Sequence, residues 1–124
     1  MPPELCTDRL EQVQAAIGAS RTLELTDQLA TRVATLLEAV ASQADTNAEL
    51  AAQAHQIRSA AGALALLRLS DALEKLEAAL RRPHAHAAVA AAARAVQRAM
   101  SAGVTALCAA VAAAKPPHPS ALTS

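Results

Sequence analysis

Leucine, valine and isoleucine recur along this chain at three- and four-residue intervals, the spacing that gathers apolar side chains onto one face of an α-helix. Read from the N-terminus, a short first helix is predicted from about Glu4 to Ala16, with Leu10, Val13 and Ile17 turned inward and Gly18 as its stop. A second starts between Ser20 and Thr26 and runs to about Ser42, carrying Leu25, Leu29, Val33, Leu36 and Val40. Ala44-Asp45 reads as a turn. Thr46-Asn47-Ala48-Glu49 is a capping box, Thr46 at the N-cap and Glu49 three residues on, and it opens a third helix to about Ala65.

The fourth helix follows almost at once, from about Leu67 to Arg81, with Leu69, Leu73, Leu76 and Leu80 as its seam. Arg81 and Arg82 suit its negative C-terminal end. Pro83 ends it and is placed to open the fifth helix, from about His84 to Ala113. Val89, Ala93, Val96, Met100, Val104, Leu107 and Val111 mark the inner face of that helix. Lys115-Pro116-Pro117-His118-Pro119 stops it, and residues 115–124 are expected to form a flexible tail. Residues 1–114 then make a single all-α domain. The expected architecture is an antiparallel up-down four-helix bundle with a short additional N-terminal capping helix.

Composition sharpens this picture. The chain has 124 residues, no Phe, Tyr or Trp, and a formal net charge of zero. Alanine dominates, so the larger aliphatic side chains must do the packing. No basic stripe or aromatic platform points to nucleic acid. The N-terminus, Met1-Pro2-Pro3-Glu4, has no secretory pattern. The segment from Ala85 to Ala114 is apolar but mostly alanine and is broken by Arg94, Gln97 and Arg98, so no membrane insertion is expected. Cys6 and Cys108 read as two buried thiols of a reducing cytoplasm; a disulfide would need the first and last helices side by side.

Candidate chemistry centres on Ala54-His55-Gln56-Ile57-Arg58-Ser59-Ala60-Ala61-Gly62. At 100° per residue, Leu50, Ala54, Ile57, Ala61 and Leu64 share the core side. His55, Arg58, Ser59 and Gly62 lie on a second stripe roughly 130° round. His55 therefore points out of the core, with a cation one turn away and small neighbours. Around a hairpin tip near Leu66, His55 lies eleven residues before and Glu77 eleven after. In an antiparallel hairpin the two meet, unless Glu77 is only a solvated helix residue. A carboxylate on Nδ1–H would orient the imidazole and leave Nε2 as nucleophile. Arg58 can pair with phosphoryl oxygens. Ala51, Ser59 and Gly62 keep the docking surface low. His84 and His86 lack the Cys or acid that would complete a metal set, and no metal site or Gly-rich phosphate loop is expected.

These residues, with Leu64, Leu69 and Leu76, resemble the histidine-containing phosphotransfer (HPt) domains of bacterial two-component phosphorelays. The similarity covers Ala54 to Glu77, and the helix layout fits the rest. It implies that His55 is the phosphoacceptor. It also implies a cytoplasmic, monomeric phosphocarrier, not an enzyme, that takes a phosphoryl group from a receiver-domain aspartate and passes it to another receiver. Implied partners are response-regulator receiver domains and a hybrid sensor histidine kinase. No cofactor is implied for this chain, and Mg²⁺ would sit on the receiver. The chain departs from the family pattern at Arg58 (usually Lys), Ser59 (usually Gly) and Ala65 (often Gly), which bears on transfer rate and partner choice. Two other readings compete: an adaptor bundle that binds receivers or kinases without His55 chemistry, and the dimeric phosphoacceptor hairpin of a histidine kinase.

Overall fold

The computed structural model describes residues 5–43 and 45–114. The expected start of the first helix at Glu4, Ala44 of the expected turn, and the expected tail 115–124 with His118 lie outside them. Five helices follow in order: α1 (Thr7–Ile17), α2 (Ala19–Ser42), α3 (Asn47–Ala63), α4 (Leu67–Leu80) and α5 (His86–Ala114). An isolated antiparallel bridge between Leu5 and Leu66 is the one β feature among the described residues. The protein is all-α, as its apolar periodicity predicts.

One residue separates α1 from α2. Gly18 takes φ 84° and ψ 163°, a conformation that a Cβ disfavours, and its N–H donates to the Gln14 carbonyl. This abrupt junction leaves the last turn of α1 over solvent. Ile17, expected inward, is 41% exposed, while Leu10 is buried and Val13 half-buried. In α2 the stripe Leu29, Val33 and Leu36 is buried, and Leu25 and Val40 sit half-buried at its margins. Thr22 and Thr26 join it in the core. Each hydroxyl donates to the carbonyl four residues back, at 2.7 Å to Gly18 and 2.8 Å to Thr22, which satisfies the buried donor locally.

Thr46 caps α3, its Oγ1 accepting from the Glu49 N–H at 3.2 Å. The forward half of the capping box is thus present. No return bond from the Glu49 carboxylate occurs among the described residues. At the other end of α3 the chain reverses through Leu64, Ala65 and Leu66 into α4. Ala65 adopts φ 68°, left-handed and usually given to glycine. Its carbonyl accepts from the Cys6 N–H at 3.0 Å, tying the N-terminal segment to the hairpin tip. Leu66 is fully buried there. Gly103 of α5 packs against it, and a Cβ at 103 would stand 3.0 Å from Leu66 Cδ2. The core runs from this tip through Leu50, Ile57, Leu69, Leu73, Leu76, Val96 and Leu107.

Two expectations are corrected, one at the C-terminal end of α4 and one at the cysteines. Pro83 does not open α5, which begins at His86. His84 takes φ 53°, and that left-handed step breaks the helical path between the proline and α5. Nor are the cysteines two buried thiols. Both are free; Cys6 is half-buried and Cys108 exposed, because α5 turns Leu107 and Val111 inward and Cys108 about 100° away from Leu107. By length and composition α5 is apolar enough to cross a membrane, at a mean hydropathy of 1.3, more than its alanine-rich sequence led us to expect. It also supplies Val96, Ala99, Met100, Leu107 and Val111 to the core, and a third of its most apolar window is buried.

Candidate functional site

The site rests on the short α3–α4 hairpin. Two contacts fix its register: His55 meets Glu77, and Arg58 meets Glu74. Both pairs are symmetric about the tip near Leu66, so the helices run antiparallel here. The core stripe of α3 (Leu50, Ala54, Ile57, Ala61) is buried against its neighbours. That orientation turns His55 outward, with 52% of its side chain exposed.

His55 Nδ1 lies 3.2 Å from Glu77 Oε1. The Glu77 side chain is only 16% exposed, so it is held between the helices while the imidazole reaches into solvent. Its second oxygen, Oε2, accepts from Arg81 Nη2 at 3.2 Å. Partial burial alone would push the Glu77 carboxyl up. The bond to His55 and the His55 and Arg81 interactions, with the Arg58 charge nearby, outweigh it and hold the carboxyl below its ordinary value. Glu77 is thus an anion aimed at one ring nitrogen.

Arg58 is on the same face but reaches the same ring atom. Its Nη2 is 3.0 Å from His55 Nδ1, and its Nη1 is 3.7 Å from Glu74 Oε2. Both polar contacts to the ring fall on Nδ1, and Nε2 has no hydrogen-bond partner among the described residues. Ser59 is exposed, its hydroxyl donating to the His55 carbonyl at 3.4 Å. Gly62 is half-exposed, and a Cβ there would meet nothing nearer than Ser70 Oγ at 4.0 Å. Ala51 is a correction: expected on the docking surface, it is fully buried. It belongs to the core cluster with Leu50 and Ala54, and its methyl group is too short to emerge from it.

Two further residues belong to this neighbourhood. Arg9 of α1 donates through Nη1 to the Gly62 carbonyl at 3.1 Å, which brings a second cation to the His55 face. Arg81 clamps Glu77. Neither stands out in the sequence. The i,i+4 spacing of Glu77 and Arg81 was a usable signal for the second, whereas nothing in the chain's periodicity joins Arg9 to Gly62. At the opposite end of the hairpin, His84 and His86 line a cleft of about 370 Å³ walled by Leu37, Val40, Leu50 and Val89. Among the described residues no group of three His, Cys, Asp or Glu side chains is placed to hold a metal ion.

No protein-family model, curated protein or solved structure matches this chain.

Proposed function

We propose that the protein is a histidine phosphotransfer module, with His55 as phosphoacceptor. The observation that carries this reading is an exposed imidazole whose Nδ1 faces a carboxylate at 3.2 Å. A proton held on Nδ1 by Glu77 leaves the Nε2 lone pair outward, where a partner's phosphoryl group can approach in line. In the step we envisage, Nε2 attacks phosphorus of an aspartyl phosphate. The N–P bond forms, the P–O bond to the aspartate breaks, and the aspartate leaves as a carboxylate. The ring, now cationic, keeps its Nδ1 proton against Glu77.

Arg58 stabilises phosphoryl oxygens in this reading, which requires its guanidinium to leave Nδ1. Ser59 and Gly62 leave room for the partner. The partners are receiver domains and a hybrid sensor kinase, and Mg²⁺ is held by the receiver's own carboxylates. The chain acts as a cytoplasmic, monomeric carrier of bacterial type, without a cofactor or catalytic turnover of its own. Its helices α2 to α5 form the up-down antiparallel bundle, with α1 as the cap.

The test is transfer from a panel of phosphorylated receiver domains to the wild-type chain and to His55→Gln. Acid-labile label on the wild type and none on the variant is the expected result. A folded wild type that takes label from no receiver refutes the reading and leaves an adaptor bundle.

A further inference from the structure

Two side chains claim one nitrogen of His55. Glu77 Oε1 stands 3.2 Å from Nδ1 and Arg58 Nη2 stands 3.0 Å from the same atom. A carboxylate only accepts hydrogen bonds and a guanidinium only donates them. In the neutral ring, Nδ1 is either an N–H, which bonds Glu77, or a lone pair, which accepts from Arg58. It has a single in-plane direction and cannot do both at once. The two neighbours therefore favour opposite tautomers. Glu77 favours Nδ1–H and places the lone pair on the outward Nε2. Arg58 favours Nε2–H and removes the lone pair from the exposed atom.

Each competitor has a second anchor, on α4 or at its C-cap. Arg81 holds Glu77 through Oε2 at 3.2 Å. Glu74 stands 3.7 Å from Arg58 Nη1, inside ion-pair distance but beyond hydrogen-bond reach. Arg58 is thus shared between the ring and Glu74, and a small side-chain movement transfers it from one to the other. Glu74 is exposed, so a docking partner can reach it.

We infer that Arg58 and Glu77 form a tautomer switch at His55, in which Arg58 on Nδ1 holds the ring in its unreactive form and Glu74 is the positioning residue that draws Arg58 away. Switching moves one proton from Nε2 to Nδ1 by way of solvent. The ring stays neutral, Arg58 stays a cation and Glu77 a carboxylate, so no other group must change charge. The inference rests on the phosphoacceptor reading for its consequence, since only a nucleophilic Nε2 makes the tautomer matter. It adds that the cation beside the histidine restrains the resting site before it helps the loaded one.

The experiment reads the tautomer directly, with no phosphodonor present. Long-range ¹⁵N–¹H spectra of the full chain, labelled in the imidazole nitrogens, give the Nδ1–H to Nε2–H ratio of neutral His55. Arg58→Met keeps the aliphatic stem and removes the donors. It should move the ratio toward Nδ1–H by about threefold to tenfold, the scale of one partly exposed charged hydrogen bond. Glu74→Ala releases Arg58 to the ring and should move the ratio the other way. An unchanged ratio in Arg58→Met, or a shift toward Nε2–H, overturns the switch, as does a shift toward Nδ1–H in Glu74→Ala. Failure of the wild type to accept phosphate from any receiver would instead sink the proposed function, and the ratio would still decide whether the switch exists.

Discussion

The middle of the α3–α4 hairpin and the connection that follows it both present histidines, and they present them differently. His55 stands on a continuous helix, and the helix beside it supplies a carboxylate at 3.2 Å. Glu77 is in turn clamped by Arg81, and Arg58 is shared between the ring and Glu74. His84 and His86 stand at the α4–α5 connection, one in a left-handed turn and the other at the first residue of α5. They line an apolar cleft, and neither imidazole takes a hydrogen bond or ion pair among the described residues. The difference lies in the neighbouring helix, not in the imidazole. A packed helix at fixed register aims its groups at a chosen ring atom, whereas a turn sets a histidine beside whatever wall is near.

The widest expected contrast follows from that comparison. His55→Gln should abolish phosphoryl acceptance, while the double variant His84→Gln, His86→Gln should keep it within about twofold, as surface changes remote from a site do. Equal losses in the transfer assay would erase the distinction between the two places. Next comes Gly62→Arg. The space around Gly62 admits a side chain, and arginine is the better helix former by about 1 kcal/mol. Circular dichroism should therefore show unchanged or greater helix content, while transfer is lost because the new side chain blocks approach to His55. Normal transfer by this variant would place the landing surface elsewhere on the molecule.

What could be read in the sequence divides along the same physical line. Helix phase is a property of the chain, so the core stripes of α2 to α5 and the outward aim of His55 follow from spacing alone. Equal distance from a short tip makes Glu77 a candidate partner of His55 but leaves a solvated Glu77 open, and the contact at 3.2 Å decides between them. The misses arise where a side chain's reach or a local turn decides. Thr22 and Thr26 break an apolar pattern yet are buried, because each hydroxyl is satisfied by its own helix. Ile17 fits the pattern yet is exposed, because it is the last residue of α1, before the break at Gly18. Ala51 lies one turn before His55 but is too short to emerge from the core. Arg58 is on the predicted face, but its long side chain settles on Nδ1, and no periodicity chooses between Nδ1 and solvent.

Smaller effects separate the scaffold from the site. Thr46 caps α3 at the end away from the tip, so Thr46→Ala should cost about 1 kcal/mol of stability, read by urea denaturation. His55 lies more than two turns further along the helix, and its transfer activity should survive the loss. A fall in transfer at full folding would show that the cap positions the site as well as the scaffold.

The smallest expected effect is the stability carried by Glu77. Its carboxyl is held below the ordinary carboxylate value in the folded chain, so the folded state binds its proton less readily than the unfolded state does. The contribution is fully present above the unfolded carboxylate value and is lost as pH falls through the lower folded value. Glu77→Gln removes the charge at every pH. The stability gap between wild type and Glu77→Gln should therefore be open near neutrality and close in acid, below the ordinary carboxylate range. Because the ion pairs are partly solvent-exposed, the gap should be no more than about 1 kcal/mol. Denaturation curves across that pH range check it. A gap that persists into acid would mean that Glu77 supports the hairpin through packing, and that its charge serves the imidazole alone.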